Sequence, residues 1–157
     1  MATLRKGTCY RRLVRAYTRK SKFKKKGFIK SIPELRVVRY TMGNPKKQFS
    51  NKVKLITKDN IQIRHNSIES ARQIINRNLH NKIGEANYLF QINIYPFHVL
   101  REDKLLTGAG ADRMQTGMAH AFGKPIGAAA QVKIGKTLFT VSVNKEHIEI
   151  AKEALKK

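Results

Sequence analysis

The spacing of apolar positions changes several times along the chain, and each change marks a new element. Val37, Val38 and Tyr40 follow the Ile32-Pro33 break and predict a strand over Leu35 to Thr41, with Arg36 and Arg39 riding on it. Gly43-Asn44-Pro45 then punctuates the chain. Val53, Leu55 and Thr57 alternate with lysines, and Ile61 and Ile63 alternate with Gln62 and Arg64 across Asp59-Asn60, the pattern of a hairpin. Beyond it the period lengthens. Ile68, Ala71, Ile75 and Leu79 share one helical face, which Asn66 or Ser67 is placed to cap, while Arg72, Arg77 and Asn78 lie on a face that reads as solvated.

Phe90, Ile92 and Ile94 return to a period of two against Gln91, Asn93 and Tyr95. Phe97 to Leu100 reads as the continuation of that strand, and Pro96, which cannot donate to a ladder, predicts an edge position or a bulge. Ala128, Ala130, Val132 and Ile134 form one face of a strand, Gly135-Lys136 a turn, and Phe139, Val141 and Val143 the returning strand of a second hairpin. Asn144 then caps a final helix through Ile148, Ala151 and Leu155, with Lys152, Lys156 and Lys157 toward its negative end. Hairpins joined by helices predict an α+β fold: a mostly antiparallel sandwich with two main helices.

Between these elements lies a stretch with no period. Leu105 to Pro125 contains Gly108, Gly110, Gly117 and Gly123 and reads as a long loop. Long irregular loops inside compact domains usually touch a partner or are mobile. The other segment without a core pattern is the N-terminus. Arg5, Lys6, Arg11, Arg12, Arg15, Arg19, Lys20, Lys22, Lys24, Lys25, Lys26 and Lys30 all precede the first acidic residue, Glu34. The organisation expected is therefore a basic arm over 1–30 and a single α+β domain over 31–157 that contains the 101–125 loop.

Charge changes the picture more than composition does. A net +23 on 157 residues destabilises a compact state unless a polyanion screens it. A solvated tail is one reading of the arm. The other, favoured by Tyr10, Tyr17, Phe23 and Phe28 among the cations, is that rings stack on unpaired bases while Arg and Lys neutralise phosphates, so that RNA orders the arm. A membrane partner is not expected, because neither a spanning apolar run nor an anchoring face is present in the sequence. Cys9 is the only cysteine, so no intrachain disulfide forms and a reducing compartment is expected.

No catalytic constellation emerges. Gly117 to Lys124 has one residue too many for a P-loop, and Pro125 replaces its Ser or Thr; Gly108-Ala109-Gly110 lacks the third glycine of a dinucleotide fingerprint. Glu102, Asp103 and Asp112 are the carboxylates that could hold a nuclease's metal ions, and they read as solvated. His65, His80, His98, His120 and His147 show no metal-ligand spacing, and His98 reads as a strand residue with one satisfied hydrogen bond. No enzyme activity, metal or cofactor is expected.

Longer motifs narrow the partner. Gly-Ala-Asp-Arg-Met-Gln-Thr-Gly-Met at 110–118, Ala-Phe-Gly-Lys-Pro at 121–125 and Val132-Lys133-Ile134-Gly135 resemble the L ten-e / L sixteen family of large-subunit ribosomal proteins, archaeal or eukaryotic type. Cys9-Tyr10-Arg11, Pro96-Phe97-His98-Val99 and Asn144-Lys145-Glu146-His147 extend the resemblance over nearly the whole chain. It departs at Ala119-His120, where members often carry arginine then glycine. The resemblance implies a cytoplasmic ribosomal protein near the central protuberance, bound to large-subunit rRNA, with neighbouring ribosomal proteins as further partners. It also implies that the loop reaches toward tRNA in the peptidyl-transfer region. The rRNA contacts expected are the twelve arm cations named above together with Tyr10. Those expected of the tRNA-facing loop are Lys104, Gly108, Gly110, Arg113, Met114, Gln115 and Gly117, with Arg113 and Lys104 on phosphate and Gln115 on a sugar or base edge.

Overall fold

A computed structural model describes residues 5–13, 29, 32–103, 108–110, 113, 117–120 and 123–157. Among them are strands β1 (Thr41–Gly43), β2 (Asn51–Ile56) and β3 (Ile61–Arg64), helix α1 (His65–Ile83), strands β4 (Tyr88–Ile92), β5 (His98–Glu102), β6 (Lys124–Val132) and β7 (Thr137–Val143), and helix α2 (Ile148–Lys156). The strands form two antiparallel sheets, ordered β1-β4-β7-β2 and β3-β6-β5. The α+β sandwich expected from the patterning is therefore the fold.

The core lies where the apolar faces meet. Tyr88, Phe90 and Ile92 of β4 point inward, β7 adds Phe139, Val141 and Val143, and α1 adds Ile68, Ile75, Leu79 and Ile83. Phe90 and Phe139 pack with ring centroids 5.7 Å apart, in the tilted geometry that aromatic quadrupoles favour. Ala151 and Ala154 bring α2 against this core.

Several local expectations give way to the tertiary structure. The two apparent hairpins are sheet crossings: β2 pairs with β7 and β3 with β6, so residues 57–60 and 133–136 pass side by side between the sheets. Hydrogen bonds bind these turns to each other. Thr57 N–H donates to Lys136 O (3.1 Å), Gly135 N–H to Thr57 O (3.0 Å) and Ile134 N–H to Asn60 Oδ1 (3.0 Å). The Thr57 hydroxyl lies 2.9 Å from Lys133 O and 3.1 Å from Lys136 O, able to donate to either.

The same happens after β4, where the chain crosses to the other sheet through residues 93–97, anchored by Asn93 N–H on Leu138 O (2.8 Å). Pro96 sits in this crossing and not within a continuing strand. The strand beyond it, β5, is an edge strand, with its irregularity at Leu100/Arg101.

The strand expected over Leu35 to Thr41 shrinks to β1 because its donors go elsewhere. Arg36 N–H reaches His65 Nδ1 (3.4 Å) and Val38 N–H reaches Glu69 Oε2 (3.3 Å), tying this stretch to α1. Glu69 is in turn held by Arg72, whose Nε and terminal nitrogen donate at 2.8 and 2.6 Å, so Arg72 lies in a half-buried fork and not on a solvated face. Finally, α1 starts at His65 directly from β3. Asn66 and Ser67 therefore lie inside its first turn, Arg64 occupies the cap position without a side-chain bond, and Asn66 Oδ1 is buried without a partner. Asn144 does occupy the cap of the 3-10 turn that leads into α2, again without a side-chain bond.

Two buried histidines, His65 in this seam and His98 in β5, should make stability depend on pH. Burial, then the cations Arg36 and Arg64, pushes His65 below its ordinary value of 6.5; burial and Arg101 do the same to His98, whose Nδ1 has no hydrogen-bond partner. The folded chain thus binds fewer protons than the unfolded one, so these residues' stability contribution is complete above the unfolded value and declines as pH falls below it. Glu69 acts in the same sense at lower pH, because Arg72 holds its carboxyl below the usual 4.5. The urea midpoint should fall between about pH 7 and pH 5, and His65→Gln with His98→Gln should remove most of that slope. A slope that survives both substitutions would place its origin elsewhere.

Candidate nucleic-acid interface

The outer face of the smaller sheet is polar, since Gln62 and Arg64 alternate with inward-facing Ile61 and Ile63. Residues 5–13 cover it. Gln62 N–H donates to Arg11 O (2.9 Å) and Gln62 Nε2 to Tyr10 O (2.8 Å), while Gln131 Nε2 donates to Gln62 Oε1 (3.0 Å). The Arg64 guanidinium stands 5.5 Å from the centre of the Tyr10 ring and donates to Arg5 O at 3.0 Å. Arg5 in turn pairs with Glu102 at the end of β5, and that hydrogen bond raises the guanidinium above its ordinary value. This part of the arm is thus seated on the smaller sheet.

What remains outward is basic. Lys6, Arg11 and Arg12 are exposed and, among the described residues, none of them is paired with a carboxylate. A cavity of about 300 Å³ lies between the segment and β5, lined by Cys9, Tyr10, Arg12, Gln62 and residues 98–101.

The long loop starts from the same place. β5 and β6 are the consecutive strands that do pair with each other, with Glu102 opposite Lys124, and residues 103–123 join them. Gly123 closes the base at φ +74°, where a Cβ would stand 2.8 Å from Glu102 C and 2.9 Å from Asp103 N; only glycine fits. Arg5 therefore grips the carboxylate at the root of the loop. Gly108, Gly110 and Gly117 take positive φ, and Arg113, exposed, donates its N–H to Gly110 O (3.1 Å). Met118 is exposed as well.

Of the residues expected in the interface, Arg5, Lys6, Tyr10, Arg11 and Arg12 come together on the small sheet, and Gly108, Gly110, Arg113 and Gly117 lie in the loop. Arg15, Arg19, Lys20, Lys22, Lys24, Lys25, Lys26 and Lys30 lie outside the described residues, as do Lys104, Met114 and Gln115. Of the three carboxylates Glu102, Asp103 and Asp112, Glu102 is engaged by Arg5 and Asp112 lies outside the described residues; among the described residues no group of three His, Cys, Asp or Glu is suited to a metal. Gln62, Arg64 and Glu102, which seat the arm, were not expected in this role. Their signal was present only as polar positions alternating with apolar ones.

The family model for ribosomal protein L16p/L10e matches residues 16–157. The chain belongs to this family. Its members are structural ribosomal proteins and not enzymes, in agreement with the absence of a catalytic motif. Among L16p/L10e relatives, the large ribosomal subunit protein uL16 of Methanococcus aeolicus is 46% identical over 155 residues, which cover 98% of this chain and 86% of the relative. The protein of that name from Saccharolobus solfataricus is 46% identical over 156 residues, 98% and 84% of the two chains. That from Staphylothermus marinus is 43% identical over 148 residues, 93% and 85%.

Proposed function

We propose that this chain is a structural constituent of the large ribosomal subunit, that it binds large-subunit rRNA through its cationic N-terminus, and that its 101–125 loop helps to position tRNA near the peptidyl-transfer region. Its place of work is the ribosome in the cytoplasm, with rRNA, tRNA and neighbouring ribosomal proteins as partners. Membership in L16p/L10e and the likeness to large-subunit proteins uL16 support the ribosomal part. Among the described residues no helix is long and apolar enough to cross a membrane.

The observation that carries the reading is the junction at Glu102, where Arg5 of the basic segment and the base of the β5–β6 loop meet. Anchor and loop share one root. Residues 1–30 act as the arm and 31–157 as the body, so that a fixed scaffold presents a glycine-bearing loop to a ligand that comes and goes. In the loop, Arg113 and Lys104 neutralise phosphate and Gln115 bonds a sugar or base edge.

The test uses the full chain in cells. After a moderate salt wash, the parent should co-sediment with large subunits, and a variant carrying Lys104→Gln and Arg113→Gln should do the same while yielding fewer crosslinks to photoreactive tRNA. A parent chain found only in light fractions would overturn the ribosomal reading; unchanged tRNA crosslinking would overturn the role of the loop.

A further inference from the structure

Three rings form a ladder on the surface. Tyr40 and Tyr95 stack with centroids 5.5 Å apart and planes within 20°, and Phe97 continues the row 4.5 Å from Tyr95 at 48°. The outer ring is almost bare: Phe97 is 76% exposed and Tyr95 43%. The backbone dictates this. Across the 93–98 crossing, Ile94, Pro96 and His98 are buried while Asn93, Tyr95 and Phe97 face out, and Phe97 N–H closes on Tyr95 O at 3.0 Å.

We propose that the Tyr40–Tyr95–Phe97 ladder is a stacking platform for an unpaired base of the RNA, with Phe97 as the ring the base covers. The proposal rests on the reading of the chain as an RNA-bound ribosomal protein. A pre-stacked row holds the outer ring in place, and an aromatic face accepts any base, the usual manner in which proteins hold splayed-out nucleotides. The surrounding charge selects a polyanion. No acidic residue occurs between Glu34 and Asp59 or between Glu85 and Glu102, the two stretches that supply the rings, while exposed Arg36 and Arg39 precede Tyr40 in the chain. Glu69, whose charge Tyr40 senses, is already held by Arg72.

Two measurements test this. Zero-length ultraviolet crosslinking of intact ribosomal particles, followed by nuclease and protease digestion, should leave a nucleotide adduct on Tyr95 or Phe97. With the purified full chain and large-subunit rRNA, Phe97→Ala should bind roughly 5- to 100-fold more weakly at unchanged log-log salt slope, and Phe97→Trp should recover the affinity. The slope separates stacking from a lost phosphate contact. Parent-like binding by Phe97→Ala, or an adduct at these rings to a neighbouring protein instead of a nucleotide, would overturn the platform and leave the proposed function standing. A parent chain that neither sediments with subunits nor binds rRNA would instead remove the function on which the platform rests.

Discussion

Replacing Arg15, Arg19, Lys20, Lys22, Lys24, Lys25, Lys26 and Lys30 together by glutamine should reduce affinity for large-subunit rRNA by orders of magnitude near physiological salt and flatten its salt dependence. Each phosphate contact releases condensed counterions, and its loss lowers the log-log slope by roughly 0.7 to 0.9, so the eight positions together remove up to about 7 units of slope. The substitutions leave residues 5–13 alone. Arg11 O still meets Gln62 N–H and Arg5 still meets Glu102, so folding and the root of the loop are preserved and the measurement reports on RNA alone. A salt titration of rRNA binding decides it: a variant that keeps the parent slope would show that the contacts lie elsewhere on this +23 chain.

Gly43→Ala should destabilise the fold by ~3–5 kcal/mol, a large part of what a domain of this size possesses. Gly43 sits in β1 opposite Leu89 at φ +88°, in the left-handed region that a side chain disfavours by ~1–2 kcal/mol. The steric contribution is larger. A Cβ there would stand 2.3 Å from Tyr88 O, and backbone in a paired strand has nowhere to move, especially with Asn44 N–H bonded to the same oxygen at 2.9 Å. Gly84→Ala is the control, because Gly84 has a similar φ of +81° and nothing within 4 Å of the added carbon. It should cost only the backbone contribution, ~1–3 kcal/mol at φ 81° and ψ 149°, and the further drop in urea midpoint for Gly43→Ala reports the collision. Equal losses would mean that β1 can shift away from β4.

Much of this protein was legible before the structure. Of the helical face Ile68, Ala71, Ile75 and Leu79, Ala71 is half-buried and the others are buried, while Phe90 and Ile92 lie in one core strand and Phe139, Val141 and Val143 in another, with Ile94 buried beyond the first. The glycine-rich stretch is the β5–β6 connection, and the motifs around it pointed to the L16p/L10e family that the comparisons show. Less legible was the seating of the arm. Nothing in a run of cations reveals that Arg5 will find Glu102, 97 positions away, or that Gln62 will be buried beneath Tyr10 and Arg11.

Sequence alone determined most of the apolar positions that face inward, where the chain breaks, and that the molecule carries a large excess of positive charge, because period, glycine and charge are properties of short stretches. Tertiary structure alone decided which strands pair. Val53–Thr57 and Ile61–Arg64 look like partners, as do the runs on either side of Gly135, yet each joins a different sheet, because β2–β7 and β3–β6 satisfy the backbone while burying apolar faces in one shared core. The stretch before β1 follows the same logic. Its donors found His65 and Glu69 on a helix some thirty residues away, a competition between acceptors that no local pattern contains.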